Sequence, residues 1–393
     1  MGSWRMGEYE QQPTRQRVGD ADQALVLTGS SEIDGSAYPP TADSHARGAA
    51  VIERTLVVVP CLNEAPFIAA VIAALRQDTL SEDCLIVVAD GGSTDGTREI
   101  VAQIAATDAC VQLLANPKRY QGPGINHAVR MFAEGRTWLV RVDAHATYPP
   151  GYVSGLVAEA RRTGATAVVV SLDARGRNAF QRATAAAQNS RLGTGGAAHR
   201  RKDVQGWVDH GHHALIRLDA FRAVSGYDER FTHNEDAEFD RRLTDLGGQI
   251  WLTDRLRIVY HPRSRPRALW RQYLNYGSGR ARTILKHRMP LKIRQALPAA
   301  VAPAVLAAAA APVFWPVALP VALWSAVALT FGMVLGVRAR DPAVLGCGLV
   351  AMEMHLAWSL GFWREVLFGD REAGEALPLG QSPQLQPTTD LGG

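Results

Sequence analysis

LeuIleValValAlaAspGlyGlySerThrAspGly, residues 85–96, begins as an unbroken apolar, β-branched run and ends in an acid followed by a glycine turn. A run of that kind, bounded by turn residues, reads as a strand buried on both faces. Gly91 and Gly92 let the chain turn tightly after Asp90, and Ser93, Thr94 or Asp95 can cap the helix that follows. Upstream, ThrLeuValValValPro (55–60) is a second β-rich run, and Ala65 to Arg76 has helical character. Downstream, LeuValArgVal (139–142) is a third run and ends in AspAlaHis (143–145). Strand and helix patterns alternate from about 51 to 262, which predicts an α/β fold with a mostly parallel sheet flanked by helices. Such sheets bind ligands beyond the carboxyl ends of their strands, where Asp90 and Asp143 stand.

Composition narrows the classes. At 393 residues and 47% hydrophobic content, the chain is too apolar to be largely disordered and long enough for one large domain plus an addition. A net charge of +4 gives no reason to expect a nucleic-acid partner. Cys61, Cys84, Cys110 and Cys347 form no CxxC pair and no zinc-ligand spacing, which predicts small buried hydrophobes in a reducing compartment. Residues 1–50 lack a sustained apolar period and an apolar core after a basic start, so they read as a disordered tail without a cleavable leader. Residues 367–393 read as a polar C-terminal tail.

Between Arg294 and Arg338 no residue is charged. A membrane-spanning helix needs about 20 apolar residues, so this stretch fits two spans, with ProValPheTrpProValAlaLeuPro (312–320) as the turn and Trp315 at an interface. A third candidate runs from about Ala343 to Trp363, carries Glu353 and is rimmed by Trp358 and Trp363; a re-entrant or interfacial helix is the alternative for it. The expectation is a transmembrane helical region of two to three helices over 296–366, after a basic juxtamembrane segment at 263–295. From Arg255 to Arg294 there are twelve Lys/Arg and no Asp/Glu, and Arg338 and Arg340 follow the second span. By the positive-inside rule both flanks are cytoplasmic. An anionic lipid surface or a phosphate-bearing substrate suits this basic run.

The chemistry lies in a few short stretches. AsnProLysArgTyrGlnGlyProGly (116–124) supplies Lys118 and Arg119 ahead of a helix containing Asn126, and it is neither a dinucleotide fingerprint nor a P-loop. An Asp and a neutral His two residues apart at a strand end, Asp143 and His145, suit Mn²⁺ or Mg²⁺ and leave positions open for diphosphate oxygens. Taken alone, the triplet equally suits a turn cap at Asp143 and a backbone-bonded His145. HisAsnGluAspAlaGluPheAspArgArgLeuThrAspLeuGly (233–247) starts with the cap candidate Asn234, lines Phe239, Leu243 and Leu246 on one helical face, and stops at Gly247. Glu235 and Asp236 then fall in the first turn, where the helix dipole stabilises carboxylates and one of them can act as a general base. His261, after a strand-like run, is a candidate third metal ligand. Asp209, His210, His212 and His213 read as acceptor contacts or core hydrogen bonds, and Trp207 as a sugar-stacking or core ring.

ProCysLeuAsnGlu (60–64), AlaAspGlyGlySerThrAspGlyThr (89–97), AspAlaHis and AsnGluAsp (234–236), in that order, resemble the family 2 inverting glycosyltransferases over about 51–290. The resemblance implies a Rossmann-like GT-A catalytic domain at 51–262. It implies a nucleotide pocket at Pro60, Asn63, Glu64 and Asp90, with Asp90 near the uracil and ribose and Gly91 and Arg119 beside it. It also implies a metal-binding acid in Asp143 and a catalytic base in Asp236. ArgValAspAlaHisAla (141–146), GlyTyrAspGluArgPhe (226–231) and ArgGlnTyrLeuAsnTyrGlySerGlyArgAlaArg (271–282) are similar to the ExoA-like, membrane-anchored glycosyltransferases of succinoglycan biosynthesis. That likeness implies transfer of glucose from UDP-glucose, in β-1,3 linkage, to a lipid-diphosphate saccharide at the inner membrane. His145 stands where the broader family has a second acid. TyrGlySerGlyArgAlaArg stands where processive synthases carry QxxRW, which argues against a polymerising enzyme. Arg280 and Arg282 are candidate contacts to the diphosphate or to a lipid phosphate. Two other readings stay open: transfer onto a polyprenyl phosphate itself, and a non-catalytic membrane protein that binds a nucleotide sugar.

Overall fold

The three apolar runs that end in Cys61, Asp90 and Arg141 lie side by side in the computed structural model of the chain, which describes residues 54–78, 84–200 and 203–369. The tail expected at 1–50 lies outside the described residues, as does the tail expected at 367–393 apart from its first three residues, of which Leu367 and Phe368 close the last helix. Strand β1 is Thr55–Cys61 and helix α1 is Ile68–Arg76. The helix starts three residues later than the sequence predicts, because Pro66 sits in a turn whose Phe67 and Ile68 N–H groups donate to the Glu64 carbonyl. There follow β2 (Cys84–Asp90), α2 (Thr97–Thr107), β3 (Val111–Ala115), α3 (Gln121–Phe132) and β4 (Trp138–Arg141). Next come α4 (Tyr152–Thr163), β5 (Ala167–Ala174), α5 (Ala179–Gln188) and the single turn α6 (Arg191–Thr194). The sheet-forming half closes with β6 (Gly206–Val208), β7 (His212–Arg217), α7 (Leu218–Ala223), α8 (Glu235–Asp245) and β8 (Ile250–Tyr260).

The strands form one mixed sheet in the order β3-β2-β1-β4-β7-β5-β8-β6. β1 to β4 run parallel to one another, β7 runs antiparallel to β4 and β5, and β5 pairs parallel with β8. Along β1, Val57 and Val59 pack into the core on one face and Leu56 and Val58 into the core on the other. Both faces are covered by helices, so the strands read as continuous apolar runs with no alternation. The order reverses between β1 and β4, and a crevice opens there beyond the strand ends, as expected for an open α/β sheet.

Beyond the sheet, α9 (Pro266–Lys286) is a long helix that runs under the C-terminal helices α10 (Ile293–Ala299), α11 (Val301–Ala308), α12 (Leu319–Ala339) and α13 (Cys347–Phe368). Two segments, Trp315–Ala339 and Pro342–Phe368, are long and apolar enough to cross a membrane; the shorter Ile293–Ala308 is not. The uncharged stretch after Arg294 thus holds one helix of spanning length where the sequence predicts two. Pro298 and Pro303 lie in its first half, where α10 gives way to α11 at Ala300, and the chain turns before Trp315. The second spanning helix is the candidate that carries Glu353.

Candidate active site

The ends of β1 and β4, the loop before α3 and the start of α8 converge on one cavity of about 700 Å³. Beneath the wall formed by Pro60, Cys61, Leu62 and Glu64 lies the glycine turn after β2. Asp90, 3% exposed, accepts the N–H groups of Gly92 (2.9 Å) and Ser93 (3.1 Å) and the Ser93 hydroxyl, so its carboxylate is turned back onto its own turn. Asn63 holds the same turn from the other side: its N–H donates to Ser93 Oγ (2.8 Å) and its Oδ1 accepts the Thr94 N–H (2.9 Å). None of the three residues offered as caps holds the cap position, which falls to Gly96 at φ 96° with no side-chain capping bond; Asp95, just before it, accepts the N–H of Thr97, the first residue of α2 (3.1 Å). A Cβ at Gly91 would sit 3.1 Å from the Arg119 carbonyl oxygen, which is why this position carries no side chain. Pro60, Glu64 and Arg119 reach the cavity wall, whereas Asn63, Asp90 and Gly91 build the turn beneath it.

On the opposite wall stands Asp143. Its backbone N–H donates to the Tyr148 hydroxyl (2.6 Å), which in turn donates to the Asp143 carbonyl (3.0 Å), and this exchange fixes the turn after β4. The antiparallel register that pairs Val140 with Leu215 brings His212 Nε2 to 3.3 Å from the carboxylate. Burial works to raise the Asp143 pKa, but the hydrogen bond and charge of His212, with Arg141 and His145, hold it well below the usual carboxylate range. His145 points at Glu64, with Nδ1 2.9 Å from Oε1, and that hydrogen bond raises its pKa against burial. An ionised carboxylate with imidazoles on the same wall is a donor set that fits Mn²⁺ or Mg²⁺. Among the described residues no group of three or more His, Cys, Asp or Glu side chains forms a closed cage, so ligand oxygens would have to complete the coordination.

Between these walls, α8 presents Glu235 and Asp236. Asn234, the expected cap, makes no capping bond; at φ 60° it turns its side chain away, and Nδ2 donates to the Tyr276 carbonyl (3.0 Å). The two acids diverge. Burial pushes Glu235 up although Arg141 opposes it. Asp236 is held well below the usual range because the charges of His210, His213, Arg141 and His212 overcome its burial. Of the two, Asp236 is the member held in the ionised form.

Arg141 links the two acids. It is 7% exposed, lies 3.8 Å from Asp143 and 3.5 Å from Glu235, and donates to Gln121, while its Nε and Nη1 find no hydrogen-bond acceptor. Pattern reading passes over it as part of an apolar strand; a lone charge inside such a run is the signal that would have found it. Behind the site, Asp240 is fully buried between His210 Nδ1 (2.7 Å) and His213 Nε2 (2.6 Å), and His213 Nδ1 meets the Tyr227 hydroxyl (2.7 Å). The histidine-rich stretch therefore divides: His212 serves the Asp143 wall, and the others form this buried chain.

Four expected residues stand elsewhere. His261 does not line the cavity, because its Nδ1 donates to the Arg175 carbonyl (2.8 Å) and its Nε2 faces Arg177 (3.3 Å). Arg282 is taken by Glu365 (2.7 Å) and the Arg230 carbonyl (3.0 Å). Trp207 lies outside the cavity and packs edge-on against Trp251 at 5.1 Å between centroids. Lys118 pairs with Glu229 at 2.5 Å.

With this geometry in place, comparison with known proteins is informative. Residues 56–225 match the family model described as Glycosyl transferase family 2. Over 313 residues, 80% of this chain and 95% of the relative, the sequence is 50% identical to succinoglycan biosynthesis protein ExoA of Rhizobium meliloti (strain 1021). Among solved structures, mannosyltransferase PcManGT from Pyrobaculum calidifontis, in complex with GDP-Man and Mn²⁺, is similar with a TM-score of 0.51 at 18% identity, over 80% of this chain and 87% of that one. At that identity the likeness speaks for the fold, a GT-A-like mixed sheet flanked by helices.

Proposed function

The chain belongs to glycosyltransferase family 2, and from that premise we propose that it is an inverting transferase that moves a hexose from a UDP-sugar to a polyprenyl-diphosphate-linked saccharide. Its specific form is transfer of glucose in β-1,3 linkage during exopolysaccharide assembly, at the cytoplasmic face of the inner membrane. The identity to a succinoglycan biosynthesis protein supports the exopolysaccharide role. The two apolar C-terminal helices behind a basic helix support the membrane site.

The observation that carries the reading is Asp236, in the first turn of α8, lining one cavity together with Asp143. Asp236 takes the proton from an acceptor hydroxyl as that oxygen attacks the anomeric carbon, on the face opposite the nucleotide. The bond to the diphosphate oxygen breaks, and one displacement inverts the configuration. Asp143, with His212 or His145, is the place for Mn²⁺ or Mg²⁺, as the Mn²⁺ bound by the mannosyltransferase suggests. A cation there would offset the charge that builds on the departing diphosphate. Glu64 and Arg119 flank the donor side, and Arg141 pairs with Asp143 and with Glu235, the neighbour of Asp236.

The test is UDP release from membranes carrying the full chain, with several nucleotide sugars, a lipid-linked saccharide acceptor, and Mn²⁺, Mg²⁺ or a chelator, followed by linkage analysis. Acceptor-dependent release that stops on chelation is expected. Turnover of no nucleotide sugar with any lipid acceptor would end this reading.

A further inference from the structure

A second cavity, about 1210 Å³, lies between α9 and the C-terminal helices and meets the first at Arg200, His210 and Tyr276. Its two ends differ in chemistry. Near the active site stand Arg200, Arg280 and Arg294; farther away the wall is Leu297, Val321 and Trp324. Most arginines of the catalytic domain have carboxylate partners, and Arg282, two residues from Arg280, has Glu365. Among the described residues, no carboxylate comes within ion-pair distance of Arg200, Arg280 or Arg294. Arg200 packs against the Tyr260 ring at 5.6 Å, and its Nη1 is buried without a hydrogen-bond acceptor. Burial, with the charge of Arg294 close by, holds Arg280 below its ordinary pKa against the pull of Asp236 and Asp240. Three arginines that line one cavity with no carboxylate in ion-pair range form an anion site, and arginine forks match phosphate oxygens.

We propose that this cavity binds the lipid end of the acceptor: a long-chain isoprenoid diphosphate, with its phosphates on Arg200, Arg280 and Arg294 and its first isoprene units along Leu297, Val321 and Trp324. The proposal rests on the transferase reading above and adds where the acceptor is gripped. The apolar wall belongs partly to α12, a candidate membrane span, so the chain leaves the site toward lipid. The cationic end opens at His210 onto the cavity that holds Asp236, so a saccharide attached to the diphosphate extends toward the base. A cavity with one charged and one apolar end is complementary to an amphiphile, whereas free pyrophosphate would satisfy only half of it.

The test uses the full chain in phosphatidylcholine nanodiscs, with UDP affinity as the check that each variant is folded. Farnesyl diphosphate is the probe, and inorganic pyrophosphate, farnesol and phosphatidylglycerol are the comparison ligands. We expect saturable farnesyl diphosphate binding, with pyrophosphate and farnesol each at least ~10-fold weaker. The double variant Arg280→Ala/Arg294→Ala should lose ~10-fold or more, as removal of charge-assisted hydrogen bonds requires. Val321→Trp, which fills the apolar end, should weaken farnesyl diphosphate and leave pyrophosphate unchanged. Unaltered farnesyl diphosphate affinity in both variants overturns the proposal. So does equal competition by phosphatidylglycerol, which would make this a membrane-headgroup site, or equal affinity for pyrophosphate, which would make it a free-phosphate site. Normal farnesyl diphosphate binding with no sugar transfer would overturn the transferase reading and leave the site standing; the reverse result would do the opposite.

Discussion

Asp236 and Glu235 are neighbours in the chain with opposite electrostatics, and that difference can be tested one residue at a time. Asp236→Asn keeps the shape and removes the proton acceptor. The expected result is a fall in kcat of about 10²–10⁴, the range for loss of a general base, with UDP affinity unchanged. Glu235→Gln, at a site where burial already favours the neutral form, should cost less than about tenfold on the same scale. An Asp236→Asn enzyme that kept most of its rate would instead point to an acceptor that is already anionic, such as a polyprenyl phosphate. The order of the acids along the chain, Asp90, Asp143 and Asp236, is plain in the sequence because each follows a strand or opens a helix. Their orientation is not. Asp90 folds back onto its own turn, and Asp143 finds His212 only because β7 pairs antiparallel with β4. That is a long-range contact, and no local pattern encodes it.

Helix α9 shows what an element adds. Its GlySerGly stretch, read from sequence as the place where a processive motif is missing, is where the helix is squeezed from two sides. A Cβ on Gly277 would collide with the Trp358 carbonyl of α13, and one on Gly279 would lie 2.6 Å from the His233 carbonyl just before the first turn of α8. At its far end α9 is clamped to α8: Glu238, fully buried, receives Lys286 (2.5 Å), His287 (3.1 Å) and Arg242 (2.6 Å). Burial works to raise Glu238, but His287, Arg242 and Lys286 bring its pKa from 4.5 down to about 2. The sign follows from a folded value below the unfolded one: the stabilisation is complete above 4.5 and is lost as pH falls through about 2. Glu238→Gln strands Lys286, 6% exposed, with Asp228 as its remaining acid, and should cost roughly 3 kcal/mol or more in unfolding free energy at neutral pH. The gap between wild type and variant should narrow from about pH 5 downward and close as pH falls through about 2. A gap that stays constant over this window would mean that the carboxylate is not charged in the folded protein.

At the scale of the whole molecule, helices α5 and α9 and the apolar C-terminal helices share a core. Ala183 and Ala187 of α5 and Leu269 of α9 pack with Val350, Ala351 and Met354 of α13, and Arg282 has its carboxylate in Glu365. The sequence separates these regions well, since composition changes sharply at Arg294 and charge vanishes beyond it. It gives no hint that α5, deep in the catalytic stretch, faces the C-terminal helices, because alanine-rich faces carry too weak a pattern to name their partner. Proline positions likewise explain why the first half of the apolar region stops short of a span, but only once the break at Ala300 is seen. The shared core predicts that the catalytic half does not stand alone. A chain ended after Lys292 would expose Leu269, which is fully buried, together with the apolar faces of α5 and α9, and would leave Arg282 unpaired. Without detergent it should elute as aggregate in size-exclusion chromatography and bind UDP weakly, whereas the full chain in nanodiscs binds UDP and is monodisperse. A monomeric, UDP-binding fragment would show that α13 merely rests on the catalytic domain. Aggregation that persists even when UDP and Mn²⁺ are supplied would show that the membrane helices complete its core.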